Sequence, residues 1–468
     1  MGRTLILSLH FIKFEGERMA YDMVIVGAGP GGSACAKIAA ENGLKVIFLE
    51  RGRTPGEKNT SGATIWGNVG RTIYPDFPAE APIERTVDGG RLFFVPEGKE
   101  WEKGGYSLLG FSSPHKTVSD PLNVYRNIFD KWWAEQAAAT GAKLKTSTLV
   151  TGVLRDDSGK ITGVIDEKGE KYEGDIVIGA DGVNSIIGRM AGLRPMWGSH
   201  ENCLCCKVDW ELDEKLIDER FGSSIDHERD TGILLEIYFA QPMAGNAGYF
   251  WIFPNRGSLA LGLGIVINDL IRLDRNIWWY MWNSINHPLV KPKLQGGKPR
   301  SYISHCIPLT NPIGPSGTLF KSYGDGIMLV GDSAGFVCPI DGAGWCGAVI
   351  AGKAAAETAM KALESGDTSA EFLKRYEKRW AEGDVGKNLK FGRDMADWLI
   401  HESGGINVLA DQLTRDLQSM MEHDAAHEDS IGGSVKRTVK NAQEWVAIAK
   451  PMRMLLGPYL QLFSSLLR

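Results

Sequence analysis

The 468-residue sequence predicts an α/β protein with a parallel sheet at its centre, and three stretches predict it. The first, YDMVIVGAGPGGSACAKIAAENGLKVIFLER from Tyr21, reads as strand, glycine turn, helix and strand. The second, YEGDIVIGADGVNSIIGRMAG, and the third, GIMLVGDSAGFVCPIDGAGWCG, each carry a short apolar strand into a glycine-rich corner and then a helix. Strands that alternate with helices pack as a sheet covered on both faces. With 43% hydrophobic and 23% charged residues, the chain has the composition of folded globular domains and enough apolar residues for a large core.

In the first stretch Met23 to Val26 form the strand, and Gly27, Gly29 and Gly32 supply GxGxxG around Pro30 and Gly31. Lys45 to Leu49 form a second strand that ends at Glu50 and Arg51. This is the pattern of a βαβ dinucleotide unit. Gly27 permits the tight turn, Gly29 lets the backbone approach a pyrophosphate, and Gly32 lets the helix pack closely on the strand. The helix N-terminus turns unpaired N–H groups toward an anion. Glu50, eighteen residues past Gly32, is placed to accept from ribose hydroxyls.

In the second stretch Asp175 to Ile178 predict a buried strand that turns through Gly179, Asp181, Gly182 and Ser185 into a helix. In the third, Gly331 and Asp332 end the strand, and Gly342, Ala343 and Gly344 open a helix. An Asp fixed at a strand end accepts from sugar or ribityl hydroxyls. A helix N-terminus offers N–H groups and partial positive charge, which suit a flavin carbonyl and the negative charge that builds beside it on reduction. The third stretch therefore predicts a flavin.

The order of these three stretches resembles the FAD-dependent monooxygenase and reductase superfamily of the glutathione-reductase type. Within it, residues 50–87, YRNIFDKWWAEQAAATGAKL, ADGVNSIIGRMAG and GDSAGFV resemble the FixC branch of electron-transfer flavoprotein:quinone oxidoreductases, from about Tyr21 to about Ala370. The resemblance implies a Rossmann-like FAD fold with a β-sheet-containing substrate domain and a helical C-terminal region. It implies that Glu50 binds the adenosine ribose, that Lys58 to Gly62, Ser61 included, line the flavin, and that Arg126 meets the pyrophosphate. Val150 would flank the adenine, Asp332 the ribityl side, and Gly342 to Gly344 the pyrimidine edge. The expected organisation is an N-terminal extension at 1–19, a discontinuous FAD domain at 20–75, 120–200 and 305–370, a substrate domain at 76–119 and 201–304, and helices over 371–468.

A second βαβ unit built on GxGxxG, which a structured nicotinamide site would use, is not found, so the electrons are expected from a protein partner or an organic reductant, with transient NADPH binding of the kind some superfamily members use left open. The resemblance names electron-transfer flavoprotein as that donor and a quinone as acceptor. No cysteine follows Cys346, which matches the FixC arrangement in which a separate FixX-like ferredoxin carries the iron–sulfur cluster. The middle of the chain departs from that branch. NAGYFWIFPNRGSLALGLGIVI reads as two strands joined at Asn-Arg-Gly. Its Tyr249, Trp251, Phe253 and Pro254 resemble the Tyr-x-Trp-x-Phe-Pro run of geranylgeranyl reductases, which reduce isoprenoid double bonds. A lipid C=C reductase is therefore the alternative enzyme, and a flavin-bearing docking subunit of a larger electron-transfer complex is the alternative of another class. Tyr249, Trp251, Phe253 and Cys338 are the candidate substrate-side residues; no side chain is assigned as acid or base, because the flavin carries the chemistry.

The net charge of −5 gives no basic face for nucleic acid. Seven cysteines, an odd number with no secretory signal ahead of them, predict reduced thiols and a cytoplasmic protein. Cys203, Cys205 and Cys206 lack the spacing of a cluster site and read as packed strand residues, so no metal is expected. RNIWWYMWNSINHP puts Trp278, Trp279 and Trp282 on a helix, and the C-terminal AKPMRMLLGPYLQLFSSLLR sets Leu460, Phe463 and Leu467 at helical spacing beside Lys450, Arg453 and Arg468. Such a basic amphipathic end suits either a peripheral contact with the cytoplasmic membrane or docking on the core or on a partner. EHDAAHEDS reads as a solvated loop, and no apolar run is long enough to span a bilayer.

Overall fold

The computed structural model describes residues 21–58, 63–98, 105–112, 121–226, 231–246, 248–309, 320–339 and 342–396, together with Ala410 and Thr414. The N-terminal extension, Ser61 and Gly62, the EHDAAHEDS loop and the amphipathic C-terminal stretch lie outside the described residues.

The chain opens with β1 (Tyr21–Val26), α1 (Pro30–Glu41) and β2 (Val46–Leu49). It continues through β3 (Thr64–Trp66), α2 (Gly67–Arg71), β4 (Arg85–Val95), β5 (Ser107–Ser112) and β6 (Pro121–Asn123). Helix α3 (Arg126–Ala139) leads into β7 (Lys143–Lys145), β8 (Val150–Arg155), β9 (Ile161–Asp166), β10 (Lys171–Gly179) and α4 (Ile186–Met190). The middle holds β11 (Asn202–Glu211), α5 (Glu214–Phe221), β12 (Gly222–Asp226), β13 (Thr231–Ala240), β14 (Phe250–Asn255) and β15 (Ser258–Val266). Helices α6 (Ile267–Leu273) and α7 (Ile277–Asn286) precede β16 (Lys298–Pro308). Last come β17 (Tyr323–Gly324), β18 (Ile327–Leu329), α8 (Trp345–Ser365), α9 (Ala370–Glu382) and α10 (Asp384–Ala396).

These strands form two sheets. In the first the order is β17-β18-β10-β1-β2-β7, with β8 and β9 attached through β10. Its central pairs, β18 with β10, β10 with β1 and β1 with β2, are parallel. Met23, Ile25, Phe48, Ile176 and Ile178 are fully buried, as a parallel sheet covered on both faces requires. Helices α1 and α8 cross over it at close range: a Cβ added at Gly31 would stand 2.8 Å from the Ala348 carbonyl oxygen. The glycines and alanines on these faces let the two helices approach so closely.

The second sheet runs β16-β11-β15-β14-β13-β4-β6-β3, with β5 and β12 joined to it. One face is packed by α5 and α7 through Phe221, Tyr238, Phe250, Leu261, Tyr280 and Met281. Alternation sends Cys206 into that core and turns Cys203 and Cys205 to the opposite face, where their sulfurs lie 3.9 Å apart over Gly264. The aromatic run forms β14, paired antiparallel with β15 from Phe250 opposite Leu263 to Asn255 opposite Ser258, the turn falling at Arg256 and Gly257. Trp251 lies over Gly262 on the same face as Cys205. Among the described residues no helix is long and apolar enough to cross a membrane.

Candidate functional site

Where β1 and β10 end side by side, their C-terminal turns open a cavity of about 430 Å³. Ligands of open α/β sheets bind at this edge, beyond the carboxyl ends of the parallel strands. Gly27 leaves β1 at φ +103°, a backbone conformation that disfavours a side chain, and turns the chain into α1. The first turn of α1 has no side-chain cap, so the N–H groups at Gly31 and Gly32 are left to the cavity they line. Glu50, at the end of β2, accepts from the Ala28 N–H at 3.1 Å and from the Gly52 N–H at 2.7 Å. Its carboxylate thereby ties the glycine turn to the second strand and keeps lone pairs for a ligand hydroxyl.

The Gly-Ala-Asp-Gly corner after β10 is joined to the Gly-Asp stretch after β18. Asp181 accepts from the Ile187 N–H at 3.0 Å and from the Ser333 hydroxyl at 3.1 Å, and that hydroxyl accepts from the Gly182 N–H at 2.9 Å. Behind them Arg194 donates from Nε to the Ser333 carbonyl at 2.7 Å and from Nη2 to the Val183 carbonyl at 2.9 Å, with Trp197 against its guanidinium. Burial lowers the Arg194 pKa to about 10, against the pull of Asp181 and Asp332. Burial raises the Asp332 carboxyl above its ordinary value, opposed by the charges of His305, Arg126 and Arg194. Arg126, the first residue of α3, is held by two 2.7 Å bonds to Asp130, a fork-to-fork pair that fixes the guanidinium at the cavity wall.

The structure brings Gly27, Gly29, Pro30, Gly31, Gly32, Glu50, Arg51, Lys58, Arg126, Val150, Asp181, Gly182, Gly331, Asp332, Gly342 and Gly344 to this one cavity. Ala343 is not on the lining; its carbonyl accepts from the Cys338 N–H at 3.1 Å and closes the loop before α8. Tyr249, Trp251 and Phe253 stand on the second sheet as a ladder with ring centres 5.7 and 5.9 Å apart. Its Tyr249 end comes up behind the lining at Gly342, where an added Cβ would lie 3.4 Å from the Tyr249 hydroxyl. Cys338, expected on the substrate side, is not on the lining: its sulfur faces α10, 3.8 Å from the Asn388 carbonyl, because that later helix packs against the loop.

Sequence reasoning missed the wall formed by His305, Cys306 and Ile307, which β16 carries in from the second sheet, and the contributions of Thr148, Asn184, Arg189 and Trp345. No local signal in the sequence marks this part of β16 as a cavity wall, because its place depends on pairing between distant strands.

The residues present fit a flavin dinucleotide. Gly29 lines the cavity, and a Cβ there would meet no protein atom within 4 Å, so the backbone is bare where a pyrophosphate would approach. Cations stand at Arg51, Lys58 and Arg126, and Glu50 lines the same cavity. This fold and donor set define an FAD-dependent oxidoreductase.

A family profile described as FAD dependent oxidoreductase matches residues 22–214. The chain is 30% identical over 376 residues, 80% of this chain and 84% of the relative, to the probable electron transfer flavoprotein-quinone oxidoreductase YdiS of Escherichia coli (strain K12). It is 32% identical over 418 residues, 85% of this chain and 91% of the relative, to digeranylgeranylglycerophospholipid reductase 2 of Methanopyrus kandleri. The fold matches a geranylgeranyl bacteriochlorophyll reductase-like protein from Thermoplasma acidophilum with a TM-score of 0.68 at 24% identity, covering 92% of this chain and 98% of that one. The protein belongs to the FAD-dependent oxidoreductase family that holds the FixC-type electron-transfer flavoprotein–quinone oxidoreductases and the geranylgeranyl reductases.

Proposed function

We propose that the protein takes electrons from an electron-transfer flavoprotein and delivers them to a quinone, with a FixX-like ferredoxin supplying an iron–sulfur centre. The observation that carries this reading is the likeness to FixC proteins and YdiS in a chain with one βαβ dinucleotide unit and no second for a nicotinamide. Bound FAD supplies the two-electron redox chemistry. The chain's own residues would hold and orient it: the N-termini of α1 and α8 would take its anionic and carbonyl oxygens, Glu50 and Asp332 would accept from its hydroxyls, and Arg126 would neutralise phosphate. Ser61 and Gly62 are assigned to the flavin side by resemblance.

The ladder Tyr249, Trp251 and Phe253, with Trp251 packed into the space over Gly262, supports an apolar acceptor on the sheet side. In this reading the segments around the second sheet form the substrate domain, and access to a membrane quinone makes the protein peripheral on the cytoplasmic membrane. The same ladder favours a second reading, reduction of isoprenoid double bonds.

Anaerobic reduction of the purified yellow protein, followed by flavin absorbance, separates the two. Bleaching by reduced electron-transfer flavoprotein and recovery with a quinone analogue is the expected result. Bleaching by NADPH, with recovery only on an isoprenoid lipid, would replace it with the second reading.

A further inference from the structure

His305 is the cavity residue whose chemistry the assignments above leave unused. It sits on β16, opposite Cys205 of β11, and lines the cofactor cavity. Its Nδ1 lies 2.7 Å from the carbonyl of Cys306. A carbonyl only accepts, so Nδ1 carries the hydrogen and donates it, which leaves Nε2 as the nitrogen free to take a second proton. Among the described residues, that Nδ1 contact is the ring's one hydrogen bond.

Apart from Asp332, the other titratable groups of the lining are committed elsewhere. Glu50 and Asp181 are engaged by backbone N–H groups, and Glu57 is paired with Arg53. Burial pushes the Cys306 thiol up, while lysine and arginine stay charged through neutrality. Histidine is the side chain whose ordinary titration falls between about pH 5 and 8. The charged and titratable groups on the elements around it are Asp332 on the turn after β18, Arg126 at the start of α3, Arg194 behind Ser333, and the Cys205 thiol across the strand pair. Asp332 is the acid among them, and its carboxyl, raised by burial, is drawn back down by the charge of His305.

We propose that His305 is the proton-exchanging residue of the cofactor cavity. An electron pair entering the cavity adds negative charge there. One proton from solvent joins the Nε2 lone pair as the pair arrives, converting neutral imidazole to imidazolium, and leaves again as the pair departs. Nothing but solvent protons and the electrons of the redox cycle is consumed. The inference rests on the FAD assignment and not on which donor or acceptor the protein uses.

The test is the midpoint potential of the bound flavin, titrated with reporter dyes on the holoprotein between pH 5.5 and 8.5, which needs neither electron-transfer flavoprotein nor quinone. In the unaltered protein the dependence on pH is expected to steepen over part of that range, by up to one proton per electron pair. His305→Asn, which can still donate to the Cys306 carbonyl, and His305→Gln are expected to lose the steeper part while keeping FAD. A profile unchanged in either variant that holds FAD would overturn the proposal. Loss of FAD by both would make His305 a binding residue and overturn it equally.

Discussion

Two glycines of one motif, Gly29 and Gly32, are expected to fail in opposite ways when each is replaced by alanine. A Cβ at Gly32 would fall 2.0 Å from the carbonyl oxygen of Gly27, where about 3.0 Å is the closest real approach, so α1 must move away from its turn by about 1 Å. Forcing a methyl into packed backbone of this kind costs about 1–3 kcal/mol. Gly32→Ala should therefore lower the urea midpoint of the cofactor-free protein and weaken FAD as a secondary effect. Gly29 has φ −73°, which alanine adopts without strain, and its added methyl would meet no protein atom. Gly29→Ala should leave the cofactor-free protein as stable as before, or more stable by roughly 0.4–1 kcal/mol. The methyl instead occupies space the ligand needs, and a tenfold loss of FAD affinity, about 1.4 kcal/mol, is the least expected. Denaturant unfolding of both stripped proteins and fluorimetric titration with FAD give the four numbers. Wild-type affinity in Gly29→Ala would refute the placement of the pyrophosphate against this turn, and an unshifted midpoint in Gly32→Ala would refute the close packing of α1 on it.

Two further outcomes follow from single side chains. Glu50→Ala removes the acceptor for the Ala28 and Gly52 N–H groups and the proposed partner of the ribose, and should yield purified protein with a reduced ratio of flavin to protein absorbance; an unaltered ratio would remove that role. His287, buried where α7 ends, has its pKa lowered to about 4 by that burial. Below its ordinary value near 6.5 the unfolded chain binds a proton that the folded one refuses. Stability should hold above that pH and fall between about 6.5 and 4. His287→Gln should flatten the fall in urea midpoints measured across that window.

The parts of the site legible in the sequence are those built within one turn of chain. Gly27 to Gly32 announce themselves because backbone approach leaves residues no freedom, and Glu50 is found by counting along β2. The ladder of β14 and its turn into β15 were readable because alternation and Arg-Gly are local signals. His305 was not readable, since its place in the cavity depends on β16 pairing with β11 and ending beside the Gly-Asp turn, a juxtaposition made by two sheets. The direction of the Cys338 sulfur, toward α10, likewise depends on where a later helix packs.

Because β16 is both an outer strand of the second sheet and a wall of the cofactor cavity, the two halves of the molecule share one seam. Filling the cavity should therefore register in amides remote in sequence from any glycine motif. Hydrogen–deuterium exchange in the stretch from Ser304 to Ile307 should slow when FAD is restored, and the protection should pass through the ladder to Cys203 and Cys205. Loading of cofactor and readiness of the acceptor side would then be one event, so that a chain emptied of FAD also presents a loosened face to its acceptor.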